Sequence, residues 1–523
     1  MRETKFLYGA AVQGIQGFIF QTNKLREIVG ASELVEEICT DKFIDVFTQL
    51  GLKYDPNNCI VHAAGNIKYV FDNEDECNII VKYFPKFVSS FAPGVTISQA
   101  VVRHQGKFED DVDELERLLH AQRNKPMRSA TLGLMGVERS RQTGLPVVLV
   151  KNENRFGQKE ELHLDAGSRA KLYMDPNGER KKTTLSLCNK AFVSHDDFER
   201  GVRIKEEQVA FDIEDITGNN DWIAIIHADG NGLGQVVQEI GKNEVEFKQF
   251  SENLDRATTE AAYEAYIFVS DNHPMTKNGK IPIRPIVLGG DDLTVICRAD
   301  IALDFTYKFI LEFERKTRCY LGDTIKKHNL FGLGKVNDCL TACAGIAYIK
   351  SSFPFYYGYD LAETLCDIAK KDAKDSDNIK RGKELPMSCL MFHKIQDSFT
   401  EDWNSIAKRE LTPQPNISFE FGPYYLEDKQ GRWTVLDLIN NTKDFDGEDG
   451  NAVKSHLRNW MSMLHDNPAM AEQKLERLKS MTSMVQFVDA ITEGKKRGDV
   501  IVYPVYDMLA IHTINTQITK EEK

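Results

Sequence analysis

Long apolar runs are missing from this 523-residue chain. No stretch approaches the roughly 20 residues that a membrane-spanning helix needs, so no membrane partner is expected. The opening residues, MRETKFLYGAAVQGIQGFIF, mix charge and glutamine among the apolar side chains and do not read as a secretory leader. The expected location is the cytoplasm. Paired cysteines are also missing: ten cysteines are scattered without a single CxxC, which argues against a zinc site and against a disulfide framework. Cys339 and Cys343, four apart on an expected strand, read as core residues on one side of a sheet. Positive charge is in deficit, with 66 Lys and Arg against 79 Asp and Glu and a formal net charge of −13. That balance excludes a surface given over wholly to nucleic acid, though not a local basic groove.

What the chain does have is a punctuated stretch from Ile223 to Ala299. It begins IAIIHADGNGLG, an apolar strand that Asp229 leaves, and continues to PIVLGGDDLTVIC, a hairpin with Gly289, Gly290, Asp291 and Asp292 at its tip. Alone, GGDD would read as an ordinary turn. Beside an acid-ending strand about 60 residues upstream and a long helical segment between, it reads as a site where Asp229, Asp291 and Asp292 converge. Three carboxylates cannot sit ionised together without a counter-charge. Because all the ligands are hard oxygens, the expected ion is Mg2+ or Mn2+. Gly230, Asn231, Gly232 and Gly234 expose backbone N–H groups at a helix start, where the phosphates of a nucleotide would be stabilised.

The pair ADGNGLG and GGDD resembles the palm domain of the large polymerase/cyclase subunit of type III CRISPR effector complexes, a relative of GGDEF diguanylate cyclases and class III nucleotide cyclases. TACAGIAYIK from Thr341 and DLAETLCDIAKKDAK from Asp360 look like that family's third core strand and following helix, and a weaker match starts at Tyr8. An internal repeat accompanies the resemblance: VHAAGNIKYVF, ending at Phe71, parallels VLGGDDLTVIC, ending at Cys297. In this register Val12 stands for Asp229, Gly65 and Asn66 stand for Asp291 and Asp292, and Asp72 and Asp300 cap the following helices. The expected fold is α+β: two ferredoxin-like palm domains related to nucleotide cyclases, the first degenerate, plus a helical C-terminal domain. The expected division is 1–121 for the first palm, 122–220 for a connecting segment with little regular core, 221–397 for the GGDD palm and 398–523 for the C-terminal domain. The second palm is expected to carry its helices on one face and leave its acids open on the other.

The resemblance implies nucleotidyl transfer with two ions held chiefly by Asp229 and Asp291, with Gly230 completing the metal set and Asp292 sharing an ion or orienting the hydroxyl. Lys370 or Lys374, from a basic run that includes Lys371, Lys380, Arg381 and Lys383, would reach the triphosphate, and Gly230, Asn231, Gly232, Gly234, Gly289 and Gly290 would line the nucleotide. The implied substrate is ATP or another nucleoside triphosphate and the implied product a cyclic oligoadenylate, with guide or target RNA and other effector subunits as partners. Neither the HD-type nuclease nor the zinc site that the family often carries is expected in this sequence: His195–Asp196 and His465–Asp466 are isolated dipeptides, and VERSRQTGLP holds no cysteine. A nucleotide- or RNA-binding scaffold without turnover is the alternative, and a diguanylate-cyclase-like enzyme a further one, weakened by Asp292 where that family has Glu.

Overall fold

The computed structural model of the chain describes residues 5–63, 65–104, 107–125, 136–155, 158–181, 184–217, 221–274, 279–329, 338–374, 385–396, 402–427 and 431–521. Lys182, Lys380, Arg381 and Lys383 fall outside them. The N-terminal part runs β1 (Phe6–Gln13), α1 (Ile15–Ile19), α2 (Leu25–Cys39), α3 (Asp41–Gln49), β2 (Cys59–Ala63), β3 (Asn66–Phe71), α4 (Glu74–Phe91), β4 (Thr96–Arg103) and α5 (Phe108–Arg123). Its strands form an antiparallel sheet in the order β2-β3-β1-β4. That order follows from a hairpin that pairs with itself and two helical crossovers that carry the chain to either side of β1. The sheet buries aromatic side chains on α3 and α4, with the Phe43 ring 5.2 Å from Phe84 and 5.8 Å from Tyr69. α4 is capped by Asn73, whose side chain accepts from the Asp75 N–H, and not by Asp72, which pairs instead with Lys5.

The connecting segment is more ordered than its composition suggests. It contains a hairpin, β5 (Val147–Arg155) and β6 (Gln158–Asp165), then α6 (Ala166–Lys171), α7 (Ser186–Phe192), α8 (His195–Glu199) and α9 (Ile213–Thr217). The expectation of little regular core is thereby corrected. Leu162, Leu164 and Met174 make a small cluster of their own, and Leu187, Cys188, Ala191 and Phe192 of α7 are buried in the main core.

The second palm repeats the first with additions. Its elements are β7 (Trp222–Asn231), α10 (Leu233–Ile240), α11 (Glu244–Asn272), β8 (Ile283–Gly289), β9 (Asp292–Arg298), α12 (Ala302–Lys327), β10 (Thr341–Lys350), α13 (Phe355–Lys374) and β11 (Cys389–Lys394). The order β8-β9-β7-β10 matches β2-β3-β1-β4, and β11 adds in parallel to β10. The repeat also reaches the following helix, because α5 packs on β4 and β1 as α13 packs on β10 and β7. Asp300 does not cap α12; it forms a two-toothed ion pair with Arg298, at 2.7 and 2.9 Å. Cys339 precedes β10 and does not share its face with Cys343, although both are buried.

The C-terminal part is mainly helical: α14 (Trp403–Ile406), α15 (Val435–Lys443), α16 (Glu448–Asp466), α17 (Pro468–Met481), α18 (Val485–Thr492) and α19 (Val505–Glu521). Four short strands accompany them, β12 (Ile417–Ser418), β13 (Tyr424–Tyr425), β14 (Lys495–Arg497) and β15 (Val500–Val502). β13 extends the second sheet beyond β11, and the other three form a sheet of their own. Among the described residues no helix is long and apolar enough to cross a membrane.

One expectation about the layers fails. The helices of the second palm do not all lie on one face. Tyr348 points to the α12 side and borders the same cavity as Leu303 and Asp304, whereas Gly345, three residues earlier and so on the opposite face, is pressed against α13. A Cβ at position 345 would collide with the Ala362 carbonyl and lie 2.6 Å from the Cys366 nitrogen, so only glycine lets α13 approach the strand so closely. The acid-bearing face is therefore roofed by α13 and, over β8 and β9, by α1 and α2 of the first palm. Ser32 of α2 donates to the Ile286 carbonyl of β8. Gly345→Ala is expected to cost about 1–3 kcal/mol, the usual range for overpacking. Urea unfolding of the full chain checks this, and an unchanged midpoint would contradict the close approach of α13.

Candidate metal and nucleotide site

β7 carries Asp229 along the sheet's central strand, and the β8–β9 hairpin brings Asp291 and Asp292 alongside. Gly289 pairs with Asp292, so Gly290 and Asp291 form a two-residue turn, with Gly290 at a φ of 63° that side chains rarely adopt. The Gly290 carbonyl accepts from Thr258 Oγ1 of α11 at 2.5 Å, which ties the tip down. Gly230 has a steric role: a Cβ there would lie 2.8 Å from the Asp291 Cβ. The absence of that carbon lets the hairpin close onto β7. One carboxylate oxygen from each of Asp229, Asp291 and Asp292 lies within 4.8 Å of the others. Among the described residues this is the one group of three or more His, Cys, Asp or Glu side chains that converges as an ion site would require.

The electrostatics agree with the geometry. Burial, then the charges of Asp292 and Asp229, push the Asp291 carboxyl well above the usual carboxylate range, against the pull of Lys370. Asp292 is raised in the same way, by burial and then by Asp229. Lys370 of α13 forms an ion pair with Asp229 Oδ2. Burial works against its charge, but the Asp229 carboxylate more than offsets that cost and raises the lysine above its ordinary value. One ammonium faces three carboxylates, so the cluster remains under-neutralised. Hard oxygens at this spacing, with a surplus of negative charge, fit a divalent cation.

The other expected residues divide. Asn231 is buried, and its Nδ2 lies 3.2 Å from Thr341 Oγ1 and 3.3 Å from Cys343 Sγ, so its side chain anchors β7 to β10 and does not reach out to a phosphate. Gly232 is the cap of α10 at a φ of 79°, and Gly234 sits in that helix's first turn with open space around it. Gly289 ends β8 and is buried. Lys374 is exposed at the end of α13, one turn beyond Lys370, and the structure does not bring it to the acids.

Several residues at the site escaped the sequence reading. Glu363 acts on Asp292, and its own carboxyl is raised by burial and then by Asp367, Asp360 and Asp229. Gln16 of α1 crosses from the first palm, its Nε2 lying 2.8 Å from Glu363 Oε1 and 2.9 Å from the Tyr359 hydroxyl. His227 Nδ1 lies 3.1 Å from Thr294 Oγ1, and burial lowers its basicity. Gln16, His227, Tyr359 and Asp292 border a cavity of about 170 Å³. A signal for part of this set existed: Tyr359, Glu363, Asp367, Lys370 and Lys374 recur at helical spacing along DLAETLCDIAKKDAK and its preceding turn.

The raised carboxyls make a stability prediction for the metal-free protein. Asp291 and Asp292 hold protons more tightly when folded than when unfolded, so their contribution is fullest below about pH 4, the ordinary carboxylate value. It is lost as pH rises through their raised folded values toward and past neutrality. Urea midpoints in EDTA should therefore fall between pH 5 and pH 8.5 (~1 kcal/mol or more, one pKa unit being about 1.4 kcal/mol). Asp291→Asn with Asp292→Asn should flatten the fall; an equal fall in the variant would contradict the raised values.

The second palm domain of the Cas10/Cmr2 family matches residues 222–379. No curated protein sequence matches the chain. Among solved structures, a chain of the Csm1–Csm4 cassette in complex with cA4 aligns with 99% of this chain and 70% of its own length, at 13% identity and a TM-score of 0.51. A chain of the same cassette with AMPPNP gives 13% identity, 99% and 70% coverage and a TM-score of 0.52. The cassette with pppApA gives 12%, 99% and 69% coverage and 0.52. At such identities the likeness is one of fold, and it runs through nearly the whole chain. Residues 222–379 thus match the second palm domain of the Cas10/Cmr2 family, and the chain as a whole is similar in fold to the palm-domain structures of the Csm1–Csm4 cassette.

Proposed function

We propose that the second palm is a nucleotidyltransferase site that joins ATP into a cyclic oligoadenylate or related adenylate messenger, within a type III CRISPR effector. The observation that carries this reading is the convergence of Asp229, Asp291 and Asp292 beside Lys370, at the tip of a hairpin that Gly230 and Gly290 allow to close. The Csm1–Csm4 structures with AMPPNP, pppApA and cA4 support adenylate chemistry by analogy of fold.

Asp229, Asp291 and Asp292 would hold Mg2+ or Mn2+. When bound, two such ions supply a lowered pKa for an attacking hydroxyl and charge compensation for the leaving pyrophosphate. In the reaction a 3′-oxygen forms a bond to the α-phosphorus of a second nucleotide, the bond to pyrophosphate breaks, and the hydroxyl proton passes to solvent or a carboxylate. Asp292, which borders a cavity together with His227 and Tyr359, would share an ion or orient that hydroxyl. Lys370, which lies beside the acids, would pair with the triphosphate, and the Gly230–Gly232 backbone would lie along it. Gln16, tied to Glu363 and Tyr359, gives the first palm a part in shaping the base-side wall.

The test is to incubate full-length protein with each nucleoside triphosphate, singly and in pairs, with Mg2+ or Mn2+, and to identify products by mass spectrometry. Parallel reactions include partner subunits loaded with target RNA. A phosphodiester product from ATP, reduced at least about 100-fold by Asp291→Ala, is the expected result. Lys370→Ala should raise the KM for ATP roughly tenfold or more. Nucleotide that binds in Mg2+ with unchanged affinity after Asp229, Asp291 and Asp292 are all replaced would sink the metal-site reading.

A further inference from the structure

We infer that the chain carries a second anion site, remote from the acids, in the cleft between α2 and the connecting segment. Its ligand is the phosphate of a nucleotide-sized molecule, either a free nucleotide or the 5′ end of an RNA chain. The cleft is a cavity of about 300 Å³ whose wall includes Arg26, Lys171, Arg180 and Lys181, with Phe211 and Glu206. Four cations against one carboxylate on so small a wall is the reverse of the chain's overall balance, where acids outnumber bases by 79 to 66.

The cations are not used up by their protein partners. Arg26 and Arg180 each give one guanidinium nitrogen to a carboxylate, Asp212 at 3.2 Å and Glu153 at 3.3 Å. A guanidinium has five N–H donors, so each keeps a set suited to phosphate oxygens. Lys171 is 2% exposed, and the partners of its ammonium are neutral: the Phe18 carbonyl at 2.7 Å and Gln21 Oε1 at 3.3 Å. Burial pulls it down to about 8, with Glu27 and Asp165 pulling the other way. An incoming anion would restore the charge that burial discourages. Lys181 and Arg180 are exposed at the mouth, where steering and release are easy.

A fifth cation lies behind the wall. Arg284 of β8 is fully buried, donates to the Thr184 carbonyl at 2.6 Å and sits 5.2 Å from the Phe211 ring centroid. Its Nε and Nη1 have no hydrogen-bond partner. Thr184 and Phe211 both belong to the cavity wall, so a guanidinium with two unpartnered nitrogens backs the site and adds to its positive potential. A singly charged carboxylate would match this field less well than a phosphate, which is compact and carries up to two charges. The cavity suits a mononucleotide unit, at the small end of ligand pockets.

Equilibrium dialysis of the full chain in EDTA tests the site, because the metal-free acid cluster repels phosphates. The probes are labelled AMP, a 5′-phosphorylated RNA pentamer and the same pentamer with a 5′-hydroxyl. Saturable binding of AMP identifies a free-nucleotide site; binding of the phosphorylated pentamer without AMP identifies an RNA-end site. In either case Arg180→Gln with Lys181→Gln, both exposed and expected to leave the thermal midpoint in place, should weaken binding by about tenfold or more. Asp291→Asn with Asp292→Asn should leave it unchanged. Absence of binding by either phosphorylated probe, equal binding of the 5′-hydroxyl pentamer, or affinity indifferent to the Arg180 and Lys181 changes would each overturn the assignment.

Discussion

The Lys370 ammonium meets the Asp229 carboxylate because α13 lies against the sheet closely enough to bring a side chain from its last turns to the end of β7. That closeness depends on Gly345, where any Cβ would strike the helix backbone, and on Gly358, where it would strike Ile225 and Ile349. Two missing methyl groups thus set the height of the roof over the acids. The same approach brings Tyr359 and Glu363 over β7, where Gln16 of the first palm can reach them. Without it the three aspartates would sit on an open sheet with water as their only compensation, and their charges would be screened and unremarkable.

The first palm repeats the frame without the chemistry. In its hairpin Ala63 pairs with Asn66, and the β1–β3 ladder ends at Ala11 opposite Asn66. The β7–β9 ladder ends one pair earlier, at Ala228 opposite Leu293, so with the hairpins aligned Ala11, one residue before Val12, takes the place of Asp229. The replacement is apolar in either register. Freed of charge there, the N-terminal copy contributes surface: α1 and α2 cover the β8–β9 half of the acid face, and the connecting segment packs behind them. The two copies therefore meet as unequal halves about one site, with the cation-lined cleft on the far side of α2 and the acids on the near side.

Much of this was legible because hairpin grammar is local. A run of apolar residues broken by GGDD announces two strands and their tip, and the repeat at Asn66–Phe71 announces the second copy. The placement of α13 was not legible, since the sequence fixes which side of a helix is apolar but not which face of a sheet receives it. Residues such as Glu363 and Gln16 became part of the site only through that choice. The connecting hairpin was hidden for a different reason: on β5 Val148 and Val150 are exposed while Lys151 and Glu153 lie on the more covered face, so apolar and charged residues do not alternate as a half-buried strand would have them. The cap of α4 was misplaced by one residue because Asp72 and Asn73 are both good caps, and backbone geometry selects between them.

The contrast between the copies bears on why the acids are there. The first sheet shows that this topology forms with alanine, valine, glycine and asparagine at the corresponding tip, so the fold does not require a carboxylate. In the second sheet three carboxylates share one ammonium, and two of them are held above their ordinary range by burial and by each other. Such crowding destabilises the empty site at neutral pH, and replacing buried charge with apolar groups is commonly neutral or stabilising. A feature that the fold does not need and that costs stability calls for a compensating charge, and hard oxygens with a residual negative charge fit a divalent cation.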